Sequence, residues 1–303
     1  MNVIERIQDN FAKGFFGKSM KIPELPQEWP AWTLKQNGWI GVAVPIETYR
    51  PFSERFAHAQ IVTEPCVQIN GTTYDVLMLV CTNMDLRNEF AIICGQFVEP
   101  GVNGSLRQQL ISFPERWWNQ WRSLLGNSIS NSEPYPALGE LSMLEKLMQA
   151  GKKVRWTGTD YATHDLELDD CSFEVKSTTN RYGYEVTISS IYQLVAAGNP
   201  LYLAFFRFEK SSLGRSIDEI VESLKQLGYP ADELEMALSS TGLDKGCTAR
   251  NIRYKVIEAK QYCVDENFPA VTEHSFKEDK LPELITKFTY TVDLAGLPAT
   301  QIK

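Results

Sequence analysis

Long hydrophobic runs are missing from the chain of 303 residues. None approaches the ~20 residues that span a bilayer, and the longest, AIIC at 91 to 94 and LYLAFFRF at 201 to 208, are of strand length. Histidine is scarce at three residues, and the six cysteines form no CxxC pair and sit in otherwise apolar stretches. That argues against a zinc ribbon and a disulfide framework, and the thiols read as reduced. There is no GxxxxGK[ST] and no GxGxxG after a strand, so a nucleotide-binding enzyme of either kind lacks support. Excess positive charge is also absent. Thirty Lys plus Arg stand against 38 Asp plus Glu, a net charge of -8, so any nucleic-acid contact must be a local patch. The N-terminal stretch carries acidic residues and no long apolar core, which fits neither a secretory signal nor an anchor. We expect a cytoplasmic protein with no membrane contact. What is present, 43% hydrophobic and 22% charged residues, is the make-up of a globular protein with room for two domains.

Residues 38 to 98 alternate turn signals with the runs GWIGVAV, AQIVTEPCVQI, TYDVLMLVC and EFAIICGQFV. Asn70-Gly71 between two of these runs is a hairpin signal, because the tight turn that matches strand twist needs positive φ at both positions. The pattern predicts an antiparallel sheet, preceded by a helix from Val3 to about Phe16. In RQQLISFPERWWNQWRSLLG, Trp117, Trp121 and Leu124 recur at helical spacing. Such a stripe could stack bases, but packing against the sheet is the preferred reading. The small, polar GNSISNSEPYP at 126 to 136 marks a domain boundary. It separates a β-rich N-terminal domain over 1–130, for target or partner recognition, from a second domain over 131–303.

In the second domain ALGELSMLEKLMQAG reads as an amphipathic helix burying Leu141, Leu144, Leu147 and Met148, with Gly151 just past its end. KKVRWTG, HDLELDD and CSFEVKST read as strands. EVTISSIYQLVAAG starts as a strand and turns helical, and LYLAFFRF is a further strand. Helix, three strands, helix and strand make an α/β domain with a mixed central sheet, α+β when the whole chain is considered. Ser216 with Glu219 forms a capping-box pattern at the head of another helix, ADELEMALSSTG is a second, and NIRYKVIEAKQYCV and LITKFTYTVDL are strand-like.

The chemistry concentrates in HDLELDDCSFEVKST, 164 to 178. Asp165 lies at one end of a strand and Glu174-Val175-Lys176 on the next. Residues two apart in a strand share a face, so Glu174 and Lys176 project together. A short hairpin would bring both to Asp165. Buried carboxylates repel unless a cation joins them, and one or two protein carboxylates are what Mg²⁺ asks for. Such an ion lowers the pKa of its water and neutralises phosphoryl charge, while the lysine orients the water or meets developing negative charge.

Asp165, eight residues, then Glu174-x-Lys176, with His164 where a proline often stands, resembles the PD-(D/E)XK nuclease superfamily. The stretch from about Leu138 to Phe208 is similar to an uncharacterised bacterial family of PD-(D/E)XK motif proteins. That resemblance implies a restriction-endonuclease-like mixed sheet flanked by helices, Mg²⁺ (or Mn²⁺) as cofactor, and DNA as partner. It implies phosphodiester hydrolysis within a restriction or phage-defence system encoded beside methyltransferases and ATPases. By the same resemblance Glu140, on the helix before the first strand, is an additional metal-positioning acid, and Gln193 stands near the site at the start of the following helix. Asp165, Glu174 and Glu140 are then the metal ligands and Lys176 the catalytic cation.

Blander readings stand beside these. Glu174 with Lys176 could be a solvated cross-strand pair, Glu140 a helix N-terminal acid favoured by the macrodipole, and Gln193 an ordinary helix-start residue. Ser177 and Thr178 read equally as phosphate contacts or strand-end hydroxyls. Lys152, Lys153, Arg155, Lys176 and Arg181 cluster in the catalytic segment, where Lys153, Arg155 and Arg181 are candidate DNA contacts. Arg250, Arg253, Lys255 and Lys260 are read as a solvated face. The alternative to a nuclease is a catalytically inactive DNA-binding or scaffold subunit of the same fold. Double-strand cleavage by a single-site enzyme is compatible with a homodimer.

Overall fold

A computed structural model of the chain describes all residues except 125–132, 158–163, 197, 278–280, 282–283, 286 and 303, and leaves out the side chains of 122–124. The sequence-predicted boundary segment lies largely outside the described residues. Two compact units are found, Met1–Asn131 with Asp244–Thr248, and Ser132–Leu243 with Ala249–Lys303. Among the described residues no helix is long and apolar enough to cross a membrane.

The first unit comprises α1 (Val3–Lys13), β1 (Lys18–Lys21), β2 (Trp32–Gln36), β3 (Trp39–Pro45), β4 (Ser53–Phe56), β5 (Ala59–Ile69), β6 (Thr72–Cys81), α2 (Arg87–Val98), α3 (Ser105–Ser112) and α4 (Pro114–Leu124). Its strands form one antiparallel sheet in the order β1-β2-β3-β6-β5-β4. The alternation read in the sequence splits its two faces. Ile40, Val42, Val44, Leu77 and Leu79 pack with the helices, whereas Trp32, Leu34, Ala43, Val76, Met78 and Val80 form a second cluster. Asn70 and Gly71 close β5 to β6 with φ of 49° and 84°, so both carry the positive φ of the primed turn.

EFAIICGQFV is a helix and not the strand its composition suggested. It falls within α2, which buries Phe90, Ala91, Cys94, Phe97 and Val98 while Ile92 stays 50% exposed. Gly95 lets α2 approach Ile4 of α1, since a Cβ there would press on the isoleucine side chain. The tryptophan segment is two helices broken before Pro114, a residue that disfavours helical backbone at the position preceding it. Trp118 is buried in the core and Trp117 packs edge-on against Phe97, in line with the packing reading.

The second unit comprises α5 (Pro134–Gln149), β7 (Arg155–Trp156), β8 (Leu166–Glu167), β9 (Ser172–Thr178), β10 (Glu185–Ile188), β11 (Leu201–Arg215), α6 (Ile217–Gln226), α7 (Ala231–Ser240), β12 (Tyr254–Cys263), β13 (Tyr290–Asp293) and β14 (Thr300–Gln301). Its main sheet runs β14-β12-β11-β9-β8-β7. Strands β7, β8 and β9 form an antiparallel meander, and β11 joins β9 in parallel with Leu203 beside Glu174 and Phe205 beside Lys176. The resulting helix, meander and parallel fourth strand make the mixed α/β sheet expected from the sequence. One face, with Phe173, Val175, Ala204 and Phe206, packs on α5, α6 and α7. The other, with Leu203 and Phe205, packs on the small sheet of β10 and β13. Helix α5 ends at Gly151, whose φ of 75° and N–H bond to Met148 O (2.9 Å) stop it.

One expectation fails here. After β10 the chain does not turn helical: residues 191–194 form a turn, and the crossover to β11 runs through β10 and this turn.

Candidate active site

Strand β8 is only two residues long, so the ladder stops at the Leu166 to Phe173 pair. The Asp165 N–H still donates to Phe173 O (3.1 Å). The next outward group on β9, the Val175 N–H, finds no β8 carbonyl and donates to Asp165 Oδ2 at 2.7 Å. The carboxylate thus takes the place of a ladder acceptor, and the continued register sets it opposite Glu174. Val175 points to the helical face with Phe173, which leaves Glu174 and Lys176 together on the opposite one. Glu174 is 1% exposed, and Lys176 Nζ lies 2.7 Å from its Oε1. From α5, Glu140 Oε2 accepts from Trp156 Nε1 at 2.6 Å.

The electrostatics bind these four residues into one cluster. Burial first, then Asp165, pushes Glu174 up to about 8, against the pull of Lys176. Burial and Asp165 likewise push Glu140 up to about 8, with Glu174 adding to the rise and Trp156 and Lys176 opposing it. Asp165 is raised by burial, opposed by the Val175 N–H and Lys176. Three crowded acids share one ammonium. This concentration of hard oxygen donors, whose ionised forms repel one another, is a set a divalent cation would relieve, Asp165 and Glu174 being the pair set opposite one another by register. Among the described residues no three histidine, cysteine or acidic side chains are already gathered as a cage. Mg²⁺ does not need one, since water and phosphate oxygens complete its shell.

Other sequence candidates fall elsewhere. Gln193 lies in the 191–194 turn, where its Oε1 accepts from the Ser189 N–H at 2.8 Å. Its expected place at a helix start is therefore corrected. His164 is buried, with Nε2 3.1 Å from Val195 O, and burial lowers its pKa. Ser177 Oγ is buried without a hydrogen-bond partner among the described residues and faces Gly139, where a Cβ would collide with it. Thr178 Oγ1 accepts from the Asn180 N–H (3.0 Å).

Of the nearby cations, Lys152 pairs with Asp170 (3.0 Å), Arg155 with Glu167 (2.5 Å) and Arg181 with Glu209 (3.6 Å). Lys153 is exposed. The solvated reading of the C-terminal basic set fails at Arg250, which is 1% exposed and joins Asp218 (2.7 Å) to Glu235 (2.6 Å). Trp156 was missed. KKVRWTG announces a strand, but nothing in it shows that the indole N–H is spent on Glu140.

A sequence family described as "Putative PD-(D/E)XK family member (DUF4420)" matches residues 46–295. No curated protein and no solved structure matches the chain.

Proposed function

Since the chain belongs to the DUF4420 family, grouped with the PD-(D/E)XK proteins, we propose that it is a Mg²⁺-dependent DNA endonuclease of a bacterial restriction or phage-defence system. The observation that carries this reading is that Glu140, Asp165 and Glu174 act electrostatically on one another and on Lys176, with the buried Glu174 paired to the Lys176 ammonium at 2.7 Å. Folding alone does not favour keeping three acids crowded. Asp165 and Glu174 would hold the cation, which would supply charge neutralisation at the phosphoryl oxygen and a more acidic bound water. Lys176 orients the attacking water and meets the negative charge that develops on the phosphate. Glu140, which accepts from the Trp156 indole N–H, adds a third acid on the α5 side, its pKa raised to about 8 by burial and by Asp165, and would help to hold the cation.

Lys153 and Thr178 would guide the DNA backbone, with Arg155 and Arg181 joining once their carboxylate partners yield; Ser177, whose Oγ is buried against α5, is left out of that set. The first unit would serve recognition of target or partner, with the ATPase and methyltransferase subunits of a defence cluster as the protein partners and a homodimer as the double-strand-cutting form.

Incubation of supercoiled plasmid with the chain and Mg²⁺ or Mn²⁺, alone and with the cluster partners, tests this. Nicked or linear product is expected, abolished by Lys176→Ala or Asp165→Asn without loss of folding. Equal cleavage by the Lys176→Ala protein would sink the assignment, and DNA binding without cleavage under every condition would leave a docking subunit instead.

A further inference from the structure

The first unit holds a cavity of about 860 Å³ that uses none of the residues assigned above. Its lining includes the end of α3 at Phe113, whose φ of -141° and ψ of 62° leave the helix before Pro114. The loop after β3 and the segment around Trp29 and Pro30 complete the lining. Each wall is held by hydrogen bonds. Thr63 Oγ1 donates to Arg50 O (2.7 Å) and accepts from the Phe52 N–H (2.8 Å). Arg107 Nη1 donates to Pro30 O (3.0 Å) and Nη2 to Val98 O (2.5 Å). Gly104, at a φ of 77°, lies so close to the Trp29 ring that a Cβ would overlap it. The cavity is therefore preformed, as small-molecule sites usually are.

Its lining joins two chemistries. Trp29, Phe52 and Phe113, the last with the Arg116 guanidinium 4.4 Å from its ring centroid, offer aromatic surface, and Arg50 and the carboxylates Glu28, Glu47 and Glu115 also line the cavity. A wholly apolar ligand would strip water from those charges and return nothing, and a bare anion would meet three acids. A flat molecule with π-faces, a donor-rich edge and a single anionic tail satisfies all three groups.

Arg107 adds to this. It is 1% exposed, its Nε has no hydrogen-bond partner among the described residues, and burial lowers it to about 10. Arg107 is itself part of the lining; held by two carbonyls, with Glu99 the carboxylate whose charge it feels and none at ion-pair distance among the described residues, it lends positive potential to the cavity.

We propose that this cavity takes one unpaired nucleotide of the DNA substrate, its base against the aromatic rings, its donor edge toward the carboxylates and its phosphate toward Arg50. Aromatic rings accept a base taken out of the stack or from a single strand regardless of sequence, and the polar edge contacts then discriminate. The inference rests on the DNA-directed reading above and deepens it into target recognition.

Isothermal titration of the four deoxynucleoside 5′-monophosphates into the full chain, in EDTA, tests it without any cleavage chemistry. At least one should bind with a dissociation constant at or below about 1 mM. Phe113→Ala and Arg50→Ala, both at exposed positions, should each weaken binding about 5-fold or more. Lys176→Ala should leave it unchanged, and inorganic phosphate should fail to compete. Absence of binding by all four, equal binding by the two cavity variants, loss in Lys176→Ala, or full displacement by phosphate would each overturn the proposal. Plasmid cleavage stands or falls separately, so failure here is distinguishable from failure of the nuclease reading.

Discussion

At Glu174 the dependence of stability on pH has a definite sign. Its ordinary value near 4.5 is raised to about 8 in the folded chain, so between these values the folded state keeps a proton that the unfolded state has lost. The stabilisation is complete below 4.5 and disappears as pH rises through about 8. In EDTA, thermal unfolding should show the gap between Glu174→Gln and the unmodified chain widening in favour of the glutamine across that window. Parallel pH profiles would show that the Glu174 pKa is not raised in the folded chain. Because Glu140 is raised in the same way, divalent metal binding near neutral pH should release protons. Titrations in buffers of different ionisation enthalpy should therefore give different apparent heats. The site was legible in the sequence where strand periodicity sufficed, at Asp165, Glu174 and Lys176. It was not legible at Trp156, whose hydrogen bond to Glu140 links side chains 16 positions apart.

Among the elements, α6 and α7 are joined by the Lys225–Glu235 pair (3.5 Å) and by a buried arginine from outside both helices. Arg250, 1% exposed, bonds Asp218 of α6 and Glu235 of α7. Removing one member of a buried pair strands the others, so Arg250→Ala should lower unfolding free energy by about 3 kcal/mol in urea titration, the low end of the usual range because both acids are partly solvated. A change below about 0.5 kcal/mol would place it with ordinary surface pairs. No sequence pattern distinguishes this arginine from the exposed cations beside it, which explains the mistaken solvated reading.

Elements with local signals were readable. Ser216 accepts from the Glu219 N–H and Glu219 returns a bond to the Ser216 N–H, as the spacing predicts. Helix α2 was unreadable because Ile92 and Ile93 fill the gaps in the pattern Phe90, Ala91, Cys94, Phe97, making a helix look like a continuous buried strand. The expected helix at Gln193 failed because a turn and the β10 to β13 pairing occupy that stretch.

For the whole molecule, net charge and pairing limit the attraction to DNA. The chain carries -8, and Lys152, Arg155 and Arg181 each hold an acid. With those three cations beside the site already paired, the logarithm of DNA affinity should fall with the logarithm of salt at a slope of about -2 to -3, against about -10 for an extensive phosphate interface. The family match begins at residue 46, inside the first unit, and ends at 295. It therefore takes in both units, where the sequence resemblance was strong only from about Leu138 to Phe208. Return of residues 244–248 to the first unit has no sequence signal at all. There Thr248 donates to Glu54 Oε1 through its N–H (2.8 Å) and hydroxyl (2.5 Å).

The measurement that bears most directly on a cation-assembled centre is a calorimetric titration of Mn²⁺ into the DNA-free chain beside an Asp165→Asn, Glu174→Gln double variant. Saturable binding that vanishes in the variant is the predicted result. Identical heats from both proteins, or none from either, would contradict the account.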